Sequence, residues 1–181
     1  MEEIFPIVDE QGTVIGSATR KECHSGSKLL HPVIHLHIIN NTIDALYLQK
    51  RSMKKDIQPG KWDTAVGGHI DYGEDTITAL RREIKEELGM TEEDLPDLIY
   101  NKSYIFESSI ERELVHRYYT YVNPDIIKFV IDKNEIDEGR FWQFDEIREN
   151  LGKGVFTPNF ESEFNDMSAF LKHIQNTDKK S

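Results

Sequence analysis

A single cysteine, Cys23, occurs among the 181 residues of this chain. One thiol excludes an intramolecular disulfide and fits a reducing compartment such as the cytoplasm. No run of about 18 apolar residues is present, so no segment reads as a membrane-spanning helix. The first residues, MEEIFPIVDE, are acidic and lack the basic-then-apolar pattern of a signal peptide. Positive charge is the other shortage. Lys and Arg number 22 against 33 Asp and Glu, a formal net charge of -11. That balance disfavours a nucleic-acid polymer as partner, because binding its backbone needs basic surface. It leaves room for a small diphosphate, whose few charges a metal and local cations can meet. With 38% apolar and 30% charged residues, the chain suits one soluble domain with a sizeable core.

No internal repeat or low-complexity linker divides the chain. IFPIV (4–8) and TVIG (13–16) predict a hairpin around Glu10-Gln11-Gly12, followed by a polar segment over 19–28. PVIHLHI (32–38) and ALYLQ (45–49) read as paired strands across Asn40-Asn41, and 62–66 as a short strand. Residues 98–106 and 114–122, rich in Tyr, Ile and Val, read as long strands, with a last strand over 139–144 and a short helix over 145–150. Phe160, Phe164, Met167, Leu171 and Ile174 recur every three or four residues and predict a helix over 159–175, its aromatics in the core. Mixed strands with helices on both faces imply an α/β class, an α/β/α sandwich with a mixed sheet and an N-terminal β-hairpin. Three stretches are expected: a hairpin extension over 1–30 packed on the domain, a domain over 31–175, and a disordered tail over 176–181.

The most informative stretch runs from Gly68 to Met90. Asp75 is a good N-cap, and Ile77, Leu80, Ile84 and Leu88 follow at helical spacing as one apolar stripe. At 3.6 residues per turn, Glu83, Glu86 and Glu87 fall within an arc of about 100° on a neighbouring face. Three crowded carboxylates repel one another unless cations sit among them, and hard oxygen ligands suit Mg²⁺, with Mn²⁺ as the alternative. Those cations in turn suit phosphate substrates. Ala79, one turn before Glu83, reads as a small residue that leaves room on that face. Gly89 fits a helix end that must turn through left-handed backbone angles.

Read as spacing, the stretch is Gly68, five residues, Glu74, seven residues, Arg82-Glu83-Ile84, one residue, Glu86-Glu87, one residue, Gly89-Met90. It resembles the Nudix box with every specified position filled, and the layout of 31–175 resembles the Nudix superfamily. The resemblance implies an α/β/α sandwich that hydrolyses nucleoside diphosphates linked to another group, often as a homodimer. It implies Glu83, Glu86 and Glu87 as metal-binding carboxylates, Arg82 as the residue orienting them, and the Gly67 carbonyl as a further metal ligand. Glu74 matches an accessory acid. Glu113, on the strand after the helix, matches a carboxylate that completes the metal cluster or acts as base.

The surrounding sequence also resembles isopentenyl-diphosphate isomerase, a Nudix-fold enzyme that moves a double bond. His24, His31 and His69 match its metal histidines, Arg51 and Lys55 its diphosphate contacts, and Glu111 with Glu113 its acidic pair. By this likeness Arg51, His69 and Glu111 are candidate substrate-binding residues. The departure is Gly67, which stands where the isomerase has its catalytic cysteine. Glycine cannot move a proton, so the complete box and Gly67 together favour the hydrolase. Glu86 or Glu113 would accept the proton of the attacking water, a role that supplies roughly 10²–10⁴-fold. Two alternatives stay open, an isomerase of a five-carbon prenyl diphosphate and a non-catalytic nucleotide sensor. Tyr104, Phe106, Tyr118 and Trp142 are further candidates for base or sugar contacts, with packing as their default role.

Overall fold

The computed structural model describes residues 2–91, 93–95 and 97–178, and the side chains of all of these except 169 and 172–178. The chain forms β1 (Ile4–Val8), β2 (Val14–Thr19), α1 (Arg20–Cys23), β3 (Leu30–Asn40), β4 (Ala45–Arg51), β5 (Trp62–Asp63) and β6 (Val66–His69). It continues as α2 (Thr76–Leu88), β7 (Ile99–Glu107), β8 (Arg112–Val122), β9 (Ile136–Gln143), α3 (Phe144–Asn150) and α4 (Pro158–Asp178). The expected polar segment holds a turn of helix, α1. Thr19 and Glu22 close it as a reciprocal capping box, each side chain bonding the other's backbone amide.

β3 is the spine of the mixed sheet. It pairs parallel with β8 from Leu30↔Arg112 to Asn40↔Val122, and antiparallel with β4 and β6. With neighbours on both sides it is buried along its whole length, which explains why it outruns the stretch expected from apolar alternation. Its two parities face two cores. Ile34, Leu36 and Ile38 pack with Leu80, Ile84 and Leu88 of α2. Ala79 lies in this core too, so its small size serves packing and not an open metal face. The opposite core gathers Leu46, Leu48, Trp62, Trp142 and Phe156 with Phe160, Phe164 and Met167 of α4. Each of those buried aromatics contributes about 1.5–3 kcal/mol of transfer free energy. The layers therefore run helix, sheet, helix, as the α/β/α reading requires.

α4 runs to Asp178, so 176–178 are helical where a tail is expected, and 179–181 lie outside the described residues. The β1–β2 hairpin docks at the sheet end near the box. Tyr72 N–H donates to the Ile4 carbonyl, Gly26 N–H to the Ile110 carbonyl, and Phe5 is fully buried. Among the described residues no helix is long and apolar enough to cross a membrane.

Candidate active site

Asp75 caps α2 by accepting from the amides of Ile77 and Thr78 at 3.1 and 3.0 Å, and Gly89 ends it at φ 65°. From this helix Arg82 reaches four groups. Its guanidinium donates to Glu74 at 3.0 and 2.9 Å, to Glu83 at 2.7 Å and to the His69 carbonyl at 3.0 Å, with Glu86 at 3.6 Å. This fork holds Glu83 at a fixed place, and Gly68 admits it. A Cβ on Gly68 would collide with the Glu83 carboxylate. Glu87 accepts from Gln49 Nε2 at 3.0 Å and from the Gly67 amide. Burial, opposed by Arg82, leaves Glu83 with a pKa raised to about 6, and burial beside Glu83 pushes Glu87 up to about 8. Glu86 points to solvent. Two crowded carboxylates that resist ionising are what a divalent cation would relieve.

On the other face of β6 a second cluster forms from four separate elements. His24 follows α1, His31 and Glu113 are register partners on β3 and β8, and His69 ends β6. One ligand atom from each of His24, His31, His69 and Glu113 lies within 4.8 Å of the others. His24 Nε2 is 3.1 Å from His69 Nε2 and 3.6 Å from Glu111, and His69 Nε2 is 4.0 Å from Glu113. His31 Nδ1–H donates to the Leu29 carbonyl at 2.9 Å, which leaves Nε2 as the bare nitrogen, buried and without a partner. Phe5 stacks on His69 at 4.3 Å. Burial lowers the pKa of all three histidines, to about 4 for His24, so their lone pairs are available at neutral pH. Burial raises Glu111 and Glu113, the latter further by Glu111 beside it.

This second cluster borders a cavity of about 480 Å³ whose cations are Arg20, Arg51, Lys54 and Lys55. Gly67, Gly68 and Gln49 also line it, whereas Glu83, Glu86 and Glu87 do not. Glu83, Glu86 and Glu87 thus gather on the α2 side of β6, and His24, His31, His69 and Glu111 across it. Glu113, expected to complete the carboxylate cluster, sits with the histidines because β3 and β8 pair it with His31. Arg51 faces the cavity while its guanidinium bonds the Ile57 carbonyl and Asp63, at 3.1 and 3.4 Å. Lys55 pairs with Glu135. Of the candidate aromatics Phe106 lines the cavity, Trp142 is core with Arg140 over its ring at 3.7 Å, and Tyr118 meets Tyr100 edge to face at 5.4 Å. Tyr104 donates to Asn159 and Glu163.

Some members of the site carry little signal in the sequence. Gln49, Arg20 and Lys54 belong to it only through folding. His35 and His37 do leave a trace, as two polar side chains on one parity of the most apolar strand. Both meet Glu163 on α4, His35 Nδ1 at 3.0 Å and His37 Nε2 at 2.7 Å. Burial opposes charge on His35, but Glu163 outweighs it and pushes its pKa up to about 9.

The sequence pattern described as NUDIX domain matches residues 30–160. The chain is 31% identical over 163 residues to Nudix hydrolase 3 of Arabidopsis thaliana, a match covering 84% of this chain and 21% of that longer protein. It is 25% identical over 166 residues to isopentenyl-diphosphate Delta-isomerase 1 of Photorhabdus laumondii, covering 89% of this chain and 92% of the isomerase. The fold resembles a crystal structure from Deinococcus radiodurans with a TM-score of 0.77 at 20% identity, over 91% of this chain and 98% of the other.

Proposed function

This chain belongs to the NUDIX family, and from that premise we propose that it is a Mg²⁺-dependent hydrolase of a phosphoanhydride bond in a nucleoside diphosphate linked to another group. The observation that carries this reading is the box cluster, where Glu83 and Glu87 crowd against Gly67 and Gly68 as carboxyls that resist ionising until a cation joins them. Glu83, Glu86, Glu87 and the Gly67 carbonyl would hold Mg²⁺ or Mn²⁺, and His24, His31, His69 and Glu113 offer a second donor set, with His31 Nε2 lacking any other partner. When bound, a divalent cation supplies charge neutralisation for the phosphates and a more acidic water.

The protein's own groups do the rest. Arg82 orients Glu83, while Gln49 and the Gly67 amide orient Glu87. Arg51, with His69 and Glu111, faces the substrate in the cavity, and Glu87 reaches the same cavity wall through its bonds to Gln49 and the Gly67 amide. The water's proton passes to Glu113, buried and poised by its raised pKa, or to Glu86, which is open to solvent. Comparing Glu113→Gln with Glu86→Gln assigns the base, since only the loss of the base removes the acid limb of the pH–rate profile, where that carboxylate must lose its proton to act. A panel of nucleoside-diphosphate compounds with Mg²⁺ or Mn²⁺, scored for released mono- and diphosphates, tests the activity. No metal-dependent product from any of them refutes it.

A second reading has one observation in its favour. The histidines matching those of the isomerase do assemble with Glu113. Against it stands Gly67, which offers no side chain for proton transfer. Isopentenyl diphosphate, monitored for its allylic isomer, separates the two.

A further inference from the structure

Gly67 leaves a space, and another residue borders it. A side chain at 67 would project to the cavity side and meet His35 at 3.5 Å from Cδ2 and 3.6 Å from Nε2, with Thr64 at 3.7 Å. His35 is the register partner of Gly67 across the β3–β6 ladder, so this proximity is fixed by the sheet. Its ring lines the cavity with the Cδ2–Nε2 edge toward the vacated space.

The opposite edge is tied down. Nδ1 lies 3.0 Å from Glu163 Oε1, which also accepts from the Tyr104 hydroxyl at 2.5 Å, and the other oxygen of Glu163 is 2.7 Å from His37 Nε2. Glu163 is 2% exposed, and among the described residues its ion-pair partners are these two histidines. A carboxylate gathering three donors in a buried place stays ionised and needs a positive neighbour. The His37 side chain is fully enclosed, whereas that of His35 reaches the cavity wall.

We propose that His35 is a substrate-contacting residue, held by Glu163 so that its Nε2–H donates into the space beside Gly67 to a non-bridging phosphate oxygen. Glu163, His37 and Tyr104 are positioning residues that fix the ring. The inference rests on the diphosphate reading of this site and adds to it a donor from β3, outside the box. It also gives Gly67 a purpose, since a side chain longer than a methyl there would screen Nε2 from the cavity.

The test uses inorganic pyrophosphate with Mg²⁺ as probe, on the full chain labelled with ¹⁵N. The wild-type His35 ring is expected to show both nitrogens protonated, and its Nε2 signals to move as pyrophosphate binds. His35→Gln is expected to weaken pyrophosphate about tenfold or more, the loss of one hydrogen bond to a charged group. Glu163→Gln should weaken it less while shifting the His35 ring signals. A neutral ring with bare Nε2, or binding that leaves the His35 signals unmoved, overturns the inference alone. Failure of the wild type to bind pyrophosphate overturns the diphosphate reading together with it. The ring spectra need no variant, so an unstable Glu163→Gln protein does not blunt the result.

Discussion

The two faces of β6 make contrasting clusters from adjacent residues. On the α2 face, Gly68 receives a carboxylate from a helix that follows within twenty residues, and Arg82 braces it. On the cavity face, Gly67 and His69 meet groups from α1, β3, β8 and, through His35, α4. The first cluster crowds carboxyls that burial holds back from ionising around the Arg82 guanidinium. The second is built of neutral imidazoles with one raised carboxyl. One strand with a period of two thus separates a site suited to hard cations from one able to accept softer metals.

Substitutions that act on one face alone test this division. The largest effect is expected from Glu87→Gln, which should lower metal-dependent kcat by more than ~100-fold, beyond what loss of a supporting partner costs. Its thermal unfolding should stay unchanged or improve, because a carboxylate held against its charge is removed. Near-normal turnover would end the box assignment. Gly68→Ala should follow, with about a 10–100-fold loss as the new methyl displaces Glu83 from Arg82. His31→Ala should cut the binding of Zn²⁺ or Co²⁺ by about the same factor, read by calorimetry, and leave Mg²⁺ binding at the box intact. Equal loss of both would mean that the two faces form one site. Gly67→Ala should cost only a few-fold in KM, since its Cβ makes ordinary contacts with His35 and Thr64.

The smallest effect is on stability, and the faces should oppose each other. Glu83 and Glu87 have folded pKa values near about 6 and about 8 against an ordinary 4.5. Their contribution is full below 4.5 and lost as pH rises through those values. His24 is depressed from 6.5 to about 4, so its contribution is full above 6.5 and lost as pH falls through 4. Thermal unfolding across pH should therefore fall on both sides, and Mg²⁺ should flatten only the alkaline limb. A Mg²⁺ effect confined to the acid limb would contradict the assignment of cations to the box.

The same contrast explains what could be read from the sequence. The box is local, so its cap, stripe, carboxylates and terminal glycine all follow from spacing along one helix. The layered fold follows from apolar periodicity, which reports burial directly. The cavity face depends on register: His31 meets Glu113 because β3 and β8 run parallel, a pairing that no local pattern encodes. The Gln49–Glu87 bond spans 38 positions and the His35–Glu163 bond 128, so neither partner signals the other. Only the likeness to a known family reached the histidines, and it reached them without saying that Glu113 joins them rather than the box carboxylates.

The hairpin draws a boundary of its own. The NUDIX pattern begins at residue 30, yet Phe5 floors the histidine cluster, His24 belongs to it, and Arg20 stands on the cavity wall. A chain that lost only residues 1–29 would keep its box and both helix layers but lose one wall of its chamber. The recognisable pattern and the chamber are therefore drawn from different lengths of the same polypeptide.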